Sequence, residues 1–222
     1  MGEKRVTKPV ILFDLDGTLI DSTEAILESF HHSLAQHGVV RGIKDAQITE
    51  QIGHPLSVMF DALGVPKELN EEHIVSYKRH YRSIACAKTL LLPNAREAIQ
   101  EAMNFARLGI VTTKTAEYSR EILEYLGVMH YFEVLIGFED VQNLKPHPEP
   151  IYKAIEKMGA LEDEIWMIGD TRLDIEAANR AGIEHVAVAS GYDNTAQLLE
   201  LTNIIKDDAL EAVRYIAMRG QK

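Results

Sequence analysis

Residues 10–22 read V-I-L-F-D-L-D-G-T-L-I-D-S, and four apolar residues, Val10 to Phe13, run straight into Asp14. A short continuous apolar run reads as a strand buried on both faces, here with a carboxylate at its C-terminal end. Asp16 follows two residues later, and alternation along a strand end puts both acids on one side. Like charges that close repel, so the pair invites a cation or a shared proton. Gly17 permits a tight turn and lets a ligand approach the backbone. The stretch predicts paired acids, a divalent metal and an anionic ligand; the plainer reading is a solvated Asp–Gly turn.

From Pro93 onward, strand and helix alternate. The pattern predicts strands over Leu108–Val111, Val134–Ile136, Ile165–Ile168 and His185–Ala189, with an edge strand at Ile204–Ile205. Between them it predicts helices over Ala95–Arg107, Tyr118–Leu126, Pro148–Met158, Asp174–Ala181, Thr195–Leu201 and Asp208–Met218. Repeated strand–helix units imply an α/β fold, a Rossmann-like parallel sheet with helices on both faces. Ligands of such sheets sit beyond the carboxyl ends of the strands. Asp14, Thr112, Lys145 and Asp170 all fall at or just past such ends. That convergence argues for one site.

Residues 21–92 break the rhythm. Ile26, Phe30 and Leu34 recur at helical spacing, as do Leu56, Met59, Phe60 and Leu63, and a further helix is expected over Asn70–Ala87. With no convincing buried strand, this segment reads as an inserted helical domain, residues 21–92, within a core of residues 1–20 and 93–222.

Phe13 to Leu19, F-D-L-D-G-T-L, resembles the first motif of the haloacid dehalogenase superfamily. Thr112, after L-G-I-V, is similar to its second motif, and Lys145 in K-P-H-P to the third motif of its phosphatase branch. Ile165 to Asp174, I-W-M-I-G-D-T-R-L-D, resembles the fourth. The resemblance implies that Asp14 is a covalent nucleophile and Asp16 a general acid/base. It implies that Thr112 and Lys145 bind the phosphoryl oxygens, with Thr113 standing where relatives often carry Asn. It further implies a metal held by Asp14, the backbone carbonyl of Asp16 and Asp170, with Asp174 direct or through water. Oxygen donors make Mg²⁺ the expected ion. Asp174 can also be read as a helix cap.

The inserted helices would then form a specificity cap. Ile52 to Phe60, I-G-H-P-L-S-V-M-F, resembles the cap loop of phosphoglycolate phosphatases, and His54 could meet the non-phosphate end of a substrate or lie exposed. A Mg²⁺-dependent phosphatase of a small phosphorylated metabolite is the leading expectation. A phosphosugar mutase similar to β-phosphoglucomutase, a pyrophosphatase or nucleotidase, and a non-catalytic binding protein are the alternatives. Asp16 favours phosphoryl over carbon–halogen chemistry, since the dehalogenases of the superfamily lack it.

A formal charge of −11 argues against a non-specific binder of nucleic acid or acidic membrane. Cys86 is the sole cysteine, which excludes an intrachain disulfide. The start shows neither a leader-length apolar segment nor a myristoylation pattern, since position 6 is Val, and no run reaches membrane-span length. A cytoplasmic protein, monomer or homodimer, is expected. His31, His32 and His37 share a helix at spacings that favour a solvated face over a metal cluster. Trp166 is expected in the core.

Overall fold

The computed structural model describes residues 8–38, 42–161 and 163–220. The extreme N-terminus, read above for a leader or lipid signal, lies outside them. The strands are β1 (Val10–Phe13), β2 (Ile20–Asp21), β3 (Leu90–Leu91), β4 (Arg107–Val111), β5 (Val134–Ile136), β6 (Ile165–Gly169), β7 (Glu184–Val188) and β8 (Ile205–Lys206). Six of them form a parallel sheet in the order β5-β4-β1-β6-β7-β8. β1 is central because its four residues are wholly apolar and fully buried. Phe13 pairs with Ile110 of β4 and Ile168 of β6. This register aligns the carboxyl ends of three strands, so Asp14, Thr112 and Asp170 emerge side by side.

Among the described residues, ten α-helices accompany the strands. Alternation sends Ile11 and Phe13 to one face of the sheet and Val10 and Leu12 to the other. α5 (Ala95–Met103), α6 (Ala116–Tyr125) and α10 (Ala209–Arg219) pack on the first face. α7 (Glu149–Met158) and α8 (Arg172–Ala181) cover the second, and α9 (Thr195–Leu199) lies by the β8 edge. Trp166 is buried in β6, its indole N–H on Glu164.

Several element boundaries depart from the periodicity, two of them at residues that matter below. The helix expected to reach Arg107 ends at Met103, because Arg107 pairs with Val10 as the first residue of β4 and its guanidinium holds Glu133. α8 begins two residues before Asp174. Thr171 is its N-cap, and the Thr171 backbone N–H and hydroxyl both donate to Asp174 Oδ2, at 3.0 and 2.7 Å. Asp174 therefore closes a capping box from the third helical position instead of capping the helix itself.

Between β2 and β3, which pair antiparallel as a separate two-stranded ribbon, lie α1 (Thr23–Gln36), α2 (Asp45–Thr49), α3 (Leu56–Ala62) and α4 (Asn70–Ile84). The Phe30 ring of α1 packs, tilted, with its centre 4.6 Å from that of Phe60 of α3 and 4.8 Å from that of Tyr77 of α4. Their apolar cluster is continuous with the Ile11–Phe13 face of the sheet, and Gly53 and Tyr81 of this segment meet Thr113 and Lys114 just past the end of β4. The three histidines of the sequence reading diverge: His31 pairs with Asp45, His32 stacks on His80, and His37 lies against His73.

Candidate active site

Asp14 and Asp170 extend β1 and β6, and Asp174 rises from the first turn of α8. All three are buried, and each offers a carboxylate oxygen within 4.8 Å of the others. Lys145, from the Pro-rich loop before α7, threads into this group. Its ammonium donates to Asp14 Oδ1 at 2.7 Å, Asp174 Oδ1 at 2.5 Å and the Val111 carbonyl at 3.0 Å. All three donors of the ammonium are thereby engaged. Asp174 has both oxygens occupied, one by Lys145 and the other by Thr171.

Asp170 is fixed from the other side. Thr18 donates to its Oδ1 at 2.8 Å and the Tyr192 backbone N–H to its Oδ2 at 2.9 Å. Two glycines make room for it. A Cβ at Gly17 would stand 2.3 Å from Asp170 Oδ2, and one at Gly191 would stand 1.9 Å away. Gly17 also adopts φ +84°, a left-handed conformation suited to glycine.

Burial pushes the Asp14 carboxyl up to about 7, with Lys145 pulling it down and Asp174 pushing it up. Burial, reinforced by Asp14 and Asp174, holds Asp170 well above the ordinary carboxylate range. Lys145 stays charged, because Asp14 and Asp174 outweigh the burial that opposes its charge. Three acids against one ammonium leave the cluster short of positive charge. An all-oxygen donor set with that deficit fits a hard divalent cation.

Thr112 is buried at the end of β4, where its hydroxyl accepts from the Lys114 backbone N–H at 3.2 Å. Thr113 turns toward the inserted helices and donates to the Gly53 carbonyl at 2.8 Å. Asp16 accepts from Ser22, and the Lys114 ammonium stands 3.3 Å away. A solvent-open cleft lies between strand ends and inserted helices. Its walls are Tyr77, Tyr81, Tyr118 and Phe138, with Met59 and Ile26. His54 lines it too, half-buried, and burial holds its imidazole below the usual histidine range. Asp16 is on the cleft wall; the buried Asp14, Asp170 and Asp174 do not line it.

Sequence reasoning singled out the four acids, Thr112 and Lys145, and the fold gathers them at one sheet edge. It missed Thr18, Gly191 and Tyr192 around Asp170, and Ser22, Tyr81 and Lys114 around Asp16. The one available signal for Gly191 and Tyr192 was their place just past the end of β7, facing the same edge.

Comparison with known proteins gives the same direction. The family model described as haloacid dehalogenase-like hydrolase matches residues 11–188. The chain is 36% identical over 188 residues to Pyrophosphatase PpaX of Halalkalibacterium halodurans, covering 82% of this chain and 83% of that one. It is 32% identical over 197 residues to Phosphoglycolate phosphatase of Colwellia psychrerythraea, covering 84% and 86%. The solved structure of a haloacid dehalogenase-like family hydrolase from Streptococcus pneumoniae superposes with a TM-score of 0.84 at 27% identity, over 93% of this chain and 97% of that one.

Proposed function

The chain belongs to the haloacid dehalogenase-like hydrolases, and on that premise we propose a Mg²⁺-dependent phosphatase that cleaves a small phosphorylated metabolite through an aspartyl-phosphate on Asp14. One observation carries the reading. The acids are divided: Asp14 sits in the cation-poor cluster beside Lys145, whereas Asp16 stands on the cleft wall, where a leaving group would lie.

In the first step an Asp14 oxygen attacks phosphorus. Asp16 delivers a proton to the departing oxygen as the P–O bond breaks. In the second step Asp16 takes a proton from the water that attacks the aspartyl-phosphate, releasing inorganic phosphate and restoring Asp14. Lys145 and the Thr112 hydroxyl offset charge on the phosphoryl oxygens. Asp14, Asp170 and the Asp16 carbonyl would hold Mg²⁺, which when bound supplies positive charge for the incoming phosphate. Asp174, with both oxygens engaged, acts by fixing Lys145. The inserted helices, residues 21–92, serve as the cap, and the Thr113–Gly53 bond ties them to the catalytic edge. Gly17 supplies the turn that brings backbone to the ligand, and His54 faces the substrate's non-phosphate end.

Phosphoglycolate and pyrophosphate are the two substrates that the relatives' names put forward. The deciding experiment is phosphate release with Mg²⁺ from both, from an aryl phosphate and from nucleoside monophosphates, with isomerisation of a sugar phosphate followed in parallel. Metal-dependent release from at least one is expected. Isomerised sugar without free phosphate would favour a mutase, and no reaction on any would overturn the assignment.

A further inference from the structure

We propose that Lys114 reads negative charge on the leaving portion of the substrate, so that the cleft selects phosphate compounds whose leaving group carries a carboxylate or a second phosphoryl group. This rests on the phosphatase reading above and adds to it a specificity residue and a substrate class.

The Lys114 backbone is held in place. Its N–H donates to Thr112 Oγ1, and its carbonyl accepts from the Phe138 N–H at 2.9 Å. Gly137 has no room for a side chain there, since a Cβ would stand 2.7 Å from the Lys114 carbonyl. The stem then crosses the cleft wall to α4. The ammonium lies 3.0 Å from the Tyr81 hydroxyl, 4.5 Å from the centre of the Tyr81 ring and 3.3 Å from Asp16 Oδ1. Only 10% of the side chain is exposed.

An ammonium has three donors. Tyr81 accepts from one, Asp16 Oδ1 at 3.3 Å is an ion-pair neighbour rather than a hydrogen-bond acceptor, and among the described residues no other acceptor is within reach. The Asp16 contact is also long, because charge-assisted N–H···O bonds run at about 2.7–2.9 Å. The Asp16 carboxylate beside it favours the charged form of the ammonium. Asp16 is the one carboxylate on the cleft wall among the described residues, and Ser22 already donates to the same oxygen. Around them the wall is aromatic. Lys78 is a second cation on the wall, 5.7 Å from the centre of the Phe138 ring. A chain of net charge −11 thus places two lysines and one acid around this cleft. A buried cation with an unused donor is stabilised by a ligand anion and gains nothing from an alkyl group.

The test compares kcat/KM, with Mg²⁺ present, for 2-phosphoglycolate, pyrophosphate and ethyl phosphate, which carries a methyl group where phosphoglycolate has its carboxylate. Wild type is expected to favour at least one charged substrate over ethyl phosphate by about 30-fold or more, chiefly through KM, as a charge-assisted bond allows. Whichever is favoured tells carboxylate from phosphoryl recognition. Lys114→Met should remove most of that preference, and Lys114→Arg should keep part of it. Absence of preference in wild type, or an equal loss on all three substrates in a folded Lys114→Met, would overturn the proposal. Should Lys114→Met not fold, inhibition of wild type by phosphonoacetate against ethylphosphonate decides. Tighter binding of phosphonoacetate supports the proposal, and equal binding overturns it. A wild type that releases phosphate from no phosphorylated compound fails the phosphatase reading, and the proposal falls with it.

Discussion

Lys145 Nζ lies 2.7 Å from Asp14 Oδ1, although 131 residues separate them in the chain. The same ammonium holds Asp174, so one side chain joins the end of β1 to the first turn of α8. Lys145→Met leaves two buried carboxylates facing each other. Breaking such a buried pair costs about 3–5 kcal/mol of stability, and loss of a fixed charge at the phosphoryl oxygens lowers kcat by about 100-fold or more. Urea unfolding and steady-state kinetics read the two effects. A variant with wild-type kcat would remove Lys145 from the chemistry.

Gly191 touches the site through space alone. A Cβ there would stand 1.9 Å from Asp170 Oδ2, so Gly191→Ala must displace that carboxylate or the loop. The expected outcome is weaker metal binding, with half-saturating Mg²⁺ raised by about 10–100-fold. KM for substrate at saturating Mg²⁺ should move much less. Mg²⁺ titration of activity checks this, and an unchanged midpoint would show that Asp170 is not a metal ligand.

Much of this site is visible in one dimension because strand ends carry it. An apolar run stopped by Asp14, another by Thr112 and another by Asp170 mark three neighbouring strands before any fold is known. Lys145 is marked by its prolines. The parts that stayed hidden depend on closure of the sheet and of the inserted helices. Gly191 and Tyr192 follow a strand with no charged residue at its end, so nothing local ties them to Asp170. Nothing in the sequence marks Lys114 until α4 brings Tyr81 beside it. Arg107 has a helix-compatible neighbourhood, and only its pairing with Val10 assigns it to β4.

Thr113 joins the end of β4 to the inserted helices, its hydroxyl donating to the Gly53 carbonyl at 2.8 Å. Thr113→Val keeps the shape and removes the donor. A neutral bond of this kind is worth about 1 kcal/mol, or roughly fivefold in kcat/KM if the closed arrangement is required for turnover. Kinetics on the substrate that wild type prefers measures it. An unaffected Thr113→Val would mean that this contact plays no part in turnover.

The acid cluster makes metal and pH interdependent. Asp14 has its carboxyl raised from 3.8 to about 7, by burial first. Between those values the metal-free folded state holds a proton that the unfolded chain has released, so this group removes stability as pH rises through that window. Asp170 is raised by burial as well and acts in the same sense. A cation bound to the carboxylates offsets the loss. The increase in Tm on adding Mg²⁺ in place of EDTA should therefore be larger at about pH 8 than at about pH 5. A gain independent of pH would contradict the assignment of these acids to the metal.

Asp14 as the atom that becomes phosphorylated is the claim on which the mechanism turns. Wild-type protein mixed with its best substrate and Mg²⁺, quenched in acid during turnover and mapped by peptide mass, tests it directly. The expected result is a phosphoryl group on the peptide containing Asp14, removable by hydroxylamine and absent from Asp14→Asn. Steady turnover with that peptide never labelled, or Asp14→Asn working at the wild-type rate, would contradict it.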